Sequence, residues 1–71
     1  MAPLRVGIAG YGVVGKLRAA CVARDGNMEV VAVSDRTFED EGVLPEGVRY
    51  YRSYQRMLEQ ELDALIVCLT N

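Results

Sequence analysis

Hydrophobic residues fall along this chain in short blocks cut by glycine and acidic residues. Leu4-Arg5-Val6-Gly7-Ile8-Ala9 is an apolar run with β-branched residues that ends in a glycine cluster, which predicts a strand. From Val13 to Arg24 the apolar residues Val13, Val14, Leu17, Ala20 and Cys21 recur at helical spacing, while Lys16, Arg18 and Arg24 lie off that stripe. Asp25-Gly26-Asn27 should stop this helix, with Gly26 as a left-handed cap. Met28 to Ser34 is almost continuously apolar, as strands covered on both faces of a parallel sheet tend to be.

The pattern then loosens. Asp35 to Gly47 is acidic and broken by Gly42, Pro45 and Gly47, and reads as a turn of helix near Thr37 to Glu41 followed by a solvated loop. Val48 to Tyr51 is predicted to be a brief strand. Ser53 is placed to cap a helix that runs to about Gln60, with Tyr54, Met57 and Leu58 on its inner face. Ala64 to Leu69 is the most apolar run and has the composition of a central strand. Alternation of strands and helices implies right-handed crossovers and a parallel sheet, with a predicted strand order 3-2-1-4. The fold class is α/β.

Chemistry enters at Gly10-Tyr11-Gly12-Val13-Val14-Gly15. The G-x-G-x-x-G spacing alone is weak, because glycine is common. Here a strand precedes it, a helix comes after it, and Asp35 lies 20 residues beyond Gly15 at the end of the next strand. That context defines the dinucleotide-binding fingerprint. Gly10 would permit the tight turn, Gly12 would let backbone approach a pyrophosphate, and Gly15 would let helix lie close on sheet. The amides near Val13 and Val14 would then face phosphate at the positive end of the helix dipole. Gly10 to Lys16 also spells the start of a P-loop, but Leu17 stands where Ser or Thr should hold Mg²⁺. Lys16 is better read as a solvated helix residue.

Asp35 should accept hydrogen bonds from the adenosine ribose hydroxyls and repel a 2′-phosphate, which favours NAD over NADP. Arg36 could stack on adenine or pair with a 2′-phosphate if Asp35 swung aside, so NADP stays possible. Tyr11 could cover the pyrophosphate or pack under its loop. Thr70 and Asn71, with Leu69 before them, stand at the carboxyl end of the last strand, where open α/β sheets bind ligands. They could contact the nicotinamide-side ribose or cap the next element of the chain. Tyr50, Tyr51 and Tyr54 are expected to be packing residues, since no basic groove accompanies them.

Composition narrows the classes. With 71 residues, one domain at most is expected, and a chain this short buries only about 60% of its unfolded surface. There is no histidine, which removes His-based triads and His-bearing zinc sites. Eight basic against ten acidic residues leave a net charge of −2, with no footprint for nucleic acid. No stretch reads as a signal peptide or membrane span. Cys21 and Cys68, far apart in apolar contexts, are expected to be reduced core thiols of a cytoplasmic protein.

Three blocks resemble a known family: Val6-Gly7-Ile8-Ala9-Gly10-Tyr11-Gly12 with Gly15; Glu29 to Asp35; and Tyr51-Arg52-Ser53-Tyr54 with Met57-Leu58, then Asp63 to Val67. Together they resemble the amino terminus of the glucose–fructose oxidoreductase / inositol dehydrogenase (Gfo/Idh/MocA) family. The resemblance implies the first part of a doubly wound Rossmann domain, residues 1–71, truncated before its later strands and without the substrate domain. It also implies hydride transfer between a nicotinamide and a hydroxyl or carbonyl of a sugar or cyclitol, by a full-length protein that forms homo-oligomers. The family strand usually ends Ala-Thr-Pro-Asn, whereas this one ends Cys68-Leu69-Thr70-Asn71, so only Asn71 matches. The family's Glu-Lys-Pro motif, with its catalytic lysine, does not occur here, and no catalytic residue carries over. Other Rossmann dehydrogenases (diaminopimelate, homoserine or glyceraldehyde-phosphate types) and a non-catalytic NAD-sensing module share the same opening.

Overall fold

The computed structural model describes residues 2–68. Its elements in chain order are β1 (Leu4–Ala9), α1 (Val13–Ala23), β2 (Met28–Ser34), β3 (Gly42–Val43), β4 (Arg49–Tyr51), α2 (Tyr54–Met57) and β5 (Ala64–Val67). They form a five-stranded sheet in the order β3-β4-β2-β1-β5. All neighbours run parallel except β3, which pairs antiparallel with β4. The 3-2-1-4 order holds for the four long-range strands, and the β3–β4 hairpin adds a fifth at one edge. This is the architecture of a partial Rossmann-like domain.

Alternation along the strands divides the core into two layers. On the α1 face, Val6, Ile8 and Val33 meet Val22, with Val30, Ile66 and Cys68 around them. On the α2 face, Ala9 and Ala32 meet Tyr51 and Met57. Ile8, Ala32, Val33 and Met57 are fully buried, and removing a side chain such as Met57 to alanine costs about 2–5 kcal/mol. Register between β1 and β2 slips between Val6 and Gly7, where β2 carries one extra residue. Val31 and Ala32 therefore both serve the α2 layer, and alternation resumes at Val33.

The inner face of α1 is not the expected one. Gly15 and Val22 are buried and Ala19 is half-buried, whereas Val13, Val14 and Leu17 are 78%, 54% and 62% exposed. At 100° per residue the apolar stripe lies roughly 100–160° around the helix from Gly15. Close approach decides the matter: a Cβ on Gly15 would collide with the Gly10 carbonyl oxygen. The helix must turn its glycine to the sheet, and the larger apolar residues then face outward. Cys21 is accordingly exposed and not a core thiol, whereas Cys68 is half-buried and packs against the α1-face core; both are free thiols.

Other boundaries differ for local reasons. Gly26 is not left-handed. Instead the amides of Arg24 and Asp25 donate to the Cys21 and Val22 carbonyls, and the Asp25 carboxylate accepts from the Asn27 amide at 2.8 Å. No helix forms over 37–41. An aromatic row covers the sheet there, with Phe38 6.4 Å from Tyr11 and 5.1 Å from Tyr50 between ring centroids. Arg56 ties this segment to α2 through Glu41 at 2.7 Å and also pairs with Glu59. Helix α2 ends at Met57, short of Gln60. Ser53 does cap it, its hydroxyl accepting from the Gln55 amide. Met57 points inward, but Tyr54 and Leu58 are exposed.

Strand β5 is anchored at its start. The Asp63 carboxylate accepts from the Arg5 amide at 2.7 Å, and the Asp63 amide donates to the Arg5 carbonyl at the same distance. That pair sets the register Val6↔Ala64 through Ala9↔Val67. Despite its central-strand composition, β5 stands at the sheet edge with Leu65 and Val67 largely exposed. No helix among the described residues is long and apolar enough to cross a membrane.

Candidate functional site

The carboxyl ends of four strands are stitched into one rim. The Cys68 amide donates to the Ala9 carbonyl at 2.7 Å, Gly10 to Ser34 at 2.8 Å, and Asp35 to Tyr51 at 3.0 Å. Ligands of open α/β sheets bind beyond this edge, where crossovers diverge to opposite faces. A cleft of about 410 Å³ opens there, lined among others by Gly10, Gly12, Asp35, Arg36, Arg52 and Tyr54.

Glycine supplies one wall. Gly10 has φ +96°, a conformation that favours glycine and turns the chain sharply off β1. Gly12 is the N-cap of α1, and a Cβ placed on it would meet nothing within 4 Å. The space beside it is open to a ligand, while that beside Gly15 is filled by Gly10. No side chain caps α1 and no acidic residue occupies its first turn. The amides around Val13 and Val14 thus leave the positive end of the helix dipole uncompensated at the cleft.

Asp35 supplies the facing wall. Its Oδ1 accepts from the Thr37 amide at 2.9 Å and the Thr37 hydroxyl at 2.7 Å, closing an Asx-type turn. The Thr37 amide is the main cause that holds this carboxyl below its ordinary pKa; burial opposes it, and the Thr37 hydroxyl, the Tyr11 amide and the Arg36 charge reinforce it. The group is an anion at neutral pH and lines the cleft.

Not every expected residue converges. Tyr11 lies against Phe38 with Lys16 Nζ 5.8 Å from its ring centroid, so its side chain packs on the α1 side of the turn. Lys16 remains exposed there. Of the three later tyrosines, Tyr51 is core and Tyr50 packs on Phe38, but Tyr54 lines the cleft and is not simply a packing residue. Leu69, Thr70 and Asn71 lie outside the described residues. Arg52, Thr37 and Ser34 join the cleft unanticipated. The signal for Arg52 was available: in a parallel sheet the residue after the third strand stands beside the residue after the second.

A glycine turn feeding an uncapped helix, opposite an acidic residue at the tip of β2, defines a dinucleotide-binding Rossmann module. Its residues fit such a cofactor, since the free space beside Gly12 and the open helix end accept a pyrophosphate and Asp35 presents an acceptor to a ribose. The chain belongs to the Gfo/Idh/MocA oxidoreductases, whose family model, described as an oxidoreductase family with an NAD-binding Rossmann fold, matches residues 4–71. No match was found among curated proteins or among solved structures.

Proposed function

We propose that this chain supplies the adenosine and pyrophosphate half of the nicotinamide-cofactor site in an oxidoreductase acting on a hydroxyl or carbonyl of a small, sugar-like molecule. The observation that carries this reading is the open space at Gly12 and the uncapped start of α1, directly across the cleft from ionised Asp35. In this reading the backbone of Gly10 to Gly15 holds the pyrophosphate and fixes the cofactor's direction across the rim. The Asp35 carboxylate accepts from a ribose hydroxyl and favours NAD. The nicotinamide, when bound, supplies the hydride chemistry, and the chain contributes positioning and electrostatics. Thr70 and Asn71 would serve the nicotinamide-side ribose.

Residues 1–71 are proposed to be the first part of a larger cytoplasmic, homo-oligomeric protein. Exposed Val13, Leu17, Leu65 and Val67 support this, because an apolar helix face and sheet edge want covering. Titration of the full-length protein with NADH, followed by nucleotide fluorescence, tests the cofactor. Saturable binding is expected, and its absence overturns the reading. Absorbance at 340 nm with a panel of polyols and cyclitols tests the substrate class.

A further inference from the structure

Strand β5 lies at the sheet edge and, among the described residues, pairs only with β1. Burial does little to fix its register. Ile66 packs against the α1-face core, with Cys68 beyond it, while Ala64, Leu65 and Val67 are exposed. A slide of two residues would keep every side chain on its present face. Leu62, in the turn before β5, lies over Gly7, but an apolar contact of this kind is non-directional. The register needs a directional interaction.

Asp63 supplies it. Its amide donates to the Arg5 carbonyl and its carboxylate accepts from the Arg5 amide, each at 2.7 Å. The carboxylate takes the amide that a ladder carbonyl would otherwise take, and the pairing ends there. The Arg5 side chain closes the bracket, its Nε donating to the Glu61 carbonyl at 2.8 Å. These bonds form only when Asp63 stands opposite Arg5, 58 positions away in the chain. At the far end of the same strand the Cys68 amide reaches the Ala9 carbonyl, and Cys68 lines the cleft.

The strand order β2-β1-β5 gives this bracket a use. Asp35 follows β2 and the glycine turn follows β1, so a dinucleotide held by both continues over the end of β5. We propose that Asp63, about 16 Å from the rim along β5, is a positioning residue for the nicotinamide half of the cofactor. It touches no part of the cofactor and acts through the strand, by setting the height at which Cys68 meets the rim. This rests on the nucleotide reading of the cleft given above.

The test uses the full-length protein, titrated with NADH and, separately, with AMP, which covers only the adenosine half. Asp63→Ala should weaken NADH binding about tenfold and leave AMP within about twofold, because the turns after β1 and β2 are untouched. Asp63→Asn, whose amide oxygen still accepts from Arg5, should hold NADH affinity within about twofold of wild type. Alkylation of Cys68 by N-ethylmaleimide, read by peptide mass spectrometry, should speed up several-fold in Asp63→Ala and not in Asp63→Asn. A merely structural Asp63 would weaken both nucleotides together or neither, and either result overturns the assignment. So does an unchanged rate at Cys68, or an Asp63→Asn variant as impaired as Asp63→Ala. If Asp63→Ala does not fold, Asp63→Ser carries the same comparison, since its hydroxyl stops one bond short of the Arg5 amide. Nucleotide binding by the wild type with no NADH-specific loss in the variants defeats this inference alone. A wild type that binds neither nucleotide defeats the proposed function as well.

Discussion

Two turns leave the same sheet edge side by side and are built on opposite principles. The turn after β1, Gly10 to Gly15, gives the cleft backbone alone: a positive φ at Gly10, empty space at Gly12, a helix end without a cap. The turn after β2 gives side chains, with Asp35 bound to Thr37 and Arg36 beside it. In the proposed reading, backbone amides recognise what all dinucleotides share, a pyrophosphate. Side chains recognise where they differ, at the adenosine ribose. Damage to the first turn should therefore abolish binding or folding, and damage to the second should change preference.

The largest effect is expected within the first turn. Gly15→Ala forces a Cβ against the Gly10 carbonyl, and the backbone there has no flexible end to move aside. A loss of about 3 kcal/mol or more is expected by chemical denaturation. Stability within about 1 kcal/mol of wild type would mean that α1 can shift outward cheaply. Gly12→Val separates binding from folding, since its side chain meets nothing in the protein. Stability should stay within about 0.5 kcal/mol, while NADH binding weakens about tenfold. If affinity is unchanged, the pyrophosphate lies elsewhere.

The second turn should yield smaller, directional changes. Asp35→Ser removes the anion and leaves Arg36 in place, so the ratio of NAD to NADP affinities should move about tenfold toward NADP. No movement, or movement toward NAD, would make Asp35 a turn residue only. Thr37→Val is the mildest change. It removes the hydroxyl donor to Asp35 Oδ1 but keeps the amide, so the carboxyl should titrate higher, closer to its ordinary value. A carboxyl held low in the folded state stabilises the fold above its unfolded pKa. That stability is lost as the pH falls through the lowered folded value. The acid limb of NADH binding should thus begin at a higher pH in Thr37→Val, and the stability lost on acidification should be smaller. An unmoved acid limb would show that the hydroxyl contributes nothing to holding the charge.

Much of this was legible from residue order. The strand–glycine–helix–strand run with Asp35 at its end, and the parallel order of the four long-range strands, arise from local pattern and crossover handedness. Ser53 was legible as a cap because capping involves only neighbours in the chain. The same is not true of α1. Its periodicity pointed to the Val13–Leu17 face, and packing chose Gly15, Ala19 and Val22. Nor did composition show that Phe38 would close a row with Tyr11 and Tyr50 in place of a turn of helix.

Short-range chemistry thus settles where this chain turns, where it can admit a phosphate, and which acid stands at the tip of β2. Those properties depend on φ, on the absence of a Cβ, and on hydrogen bonds spanning two or three residues. Which face of α1 is buried, and that Arg52 lines the same cleft as Asp35 although 17 positions separate them, depend on strand register and on contact between distant backbones. Register is a collective property of the sheet: it comes from matching every apolar face at once, and no single segment carries it.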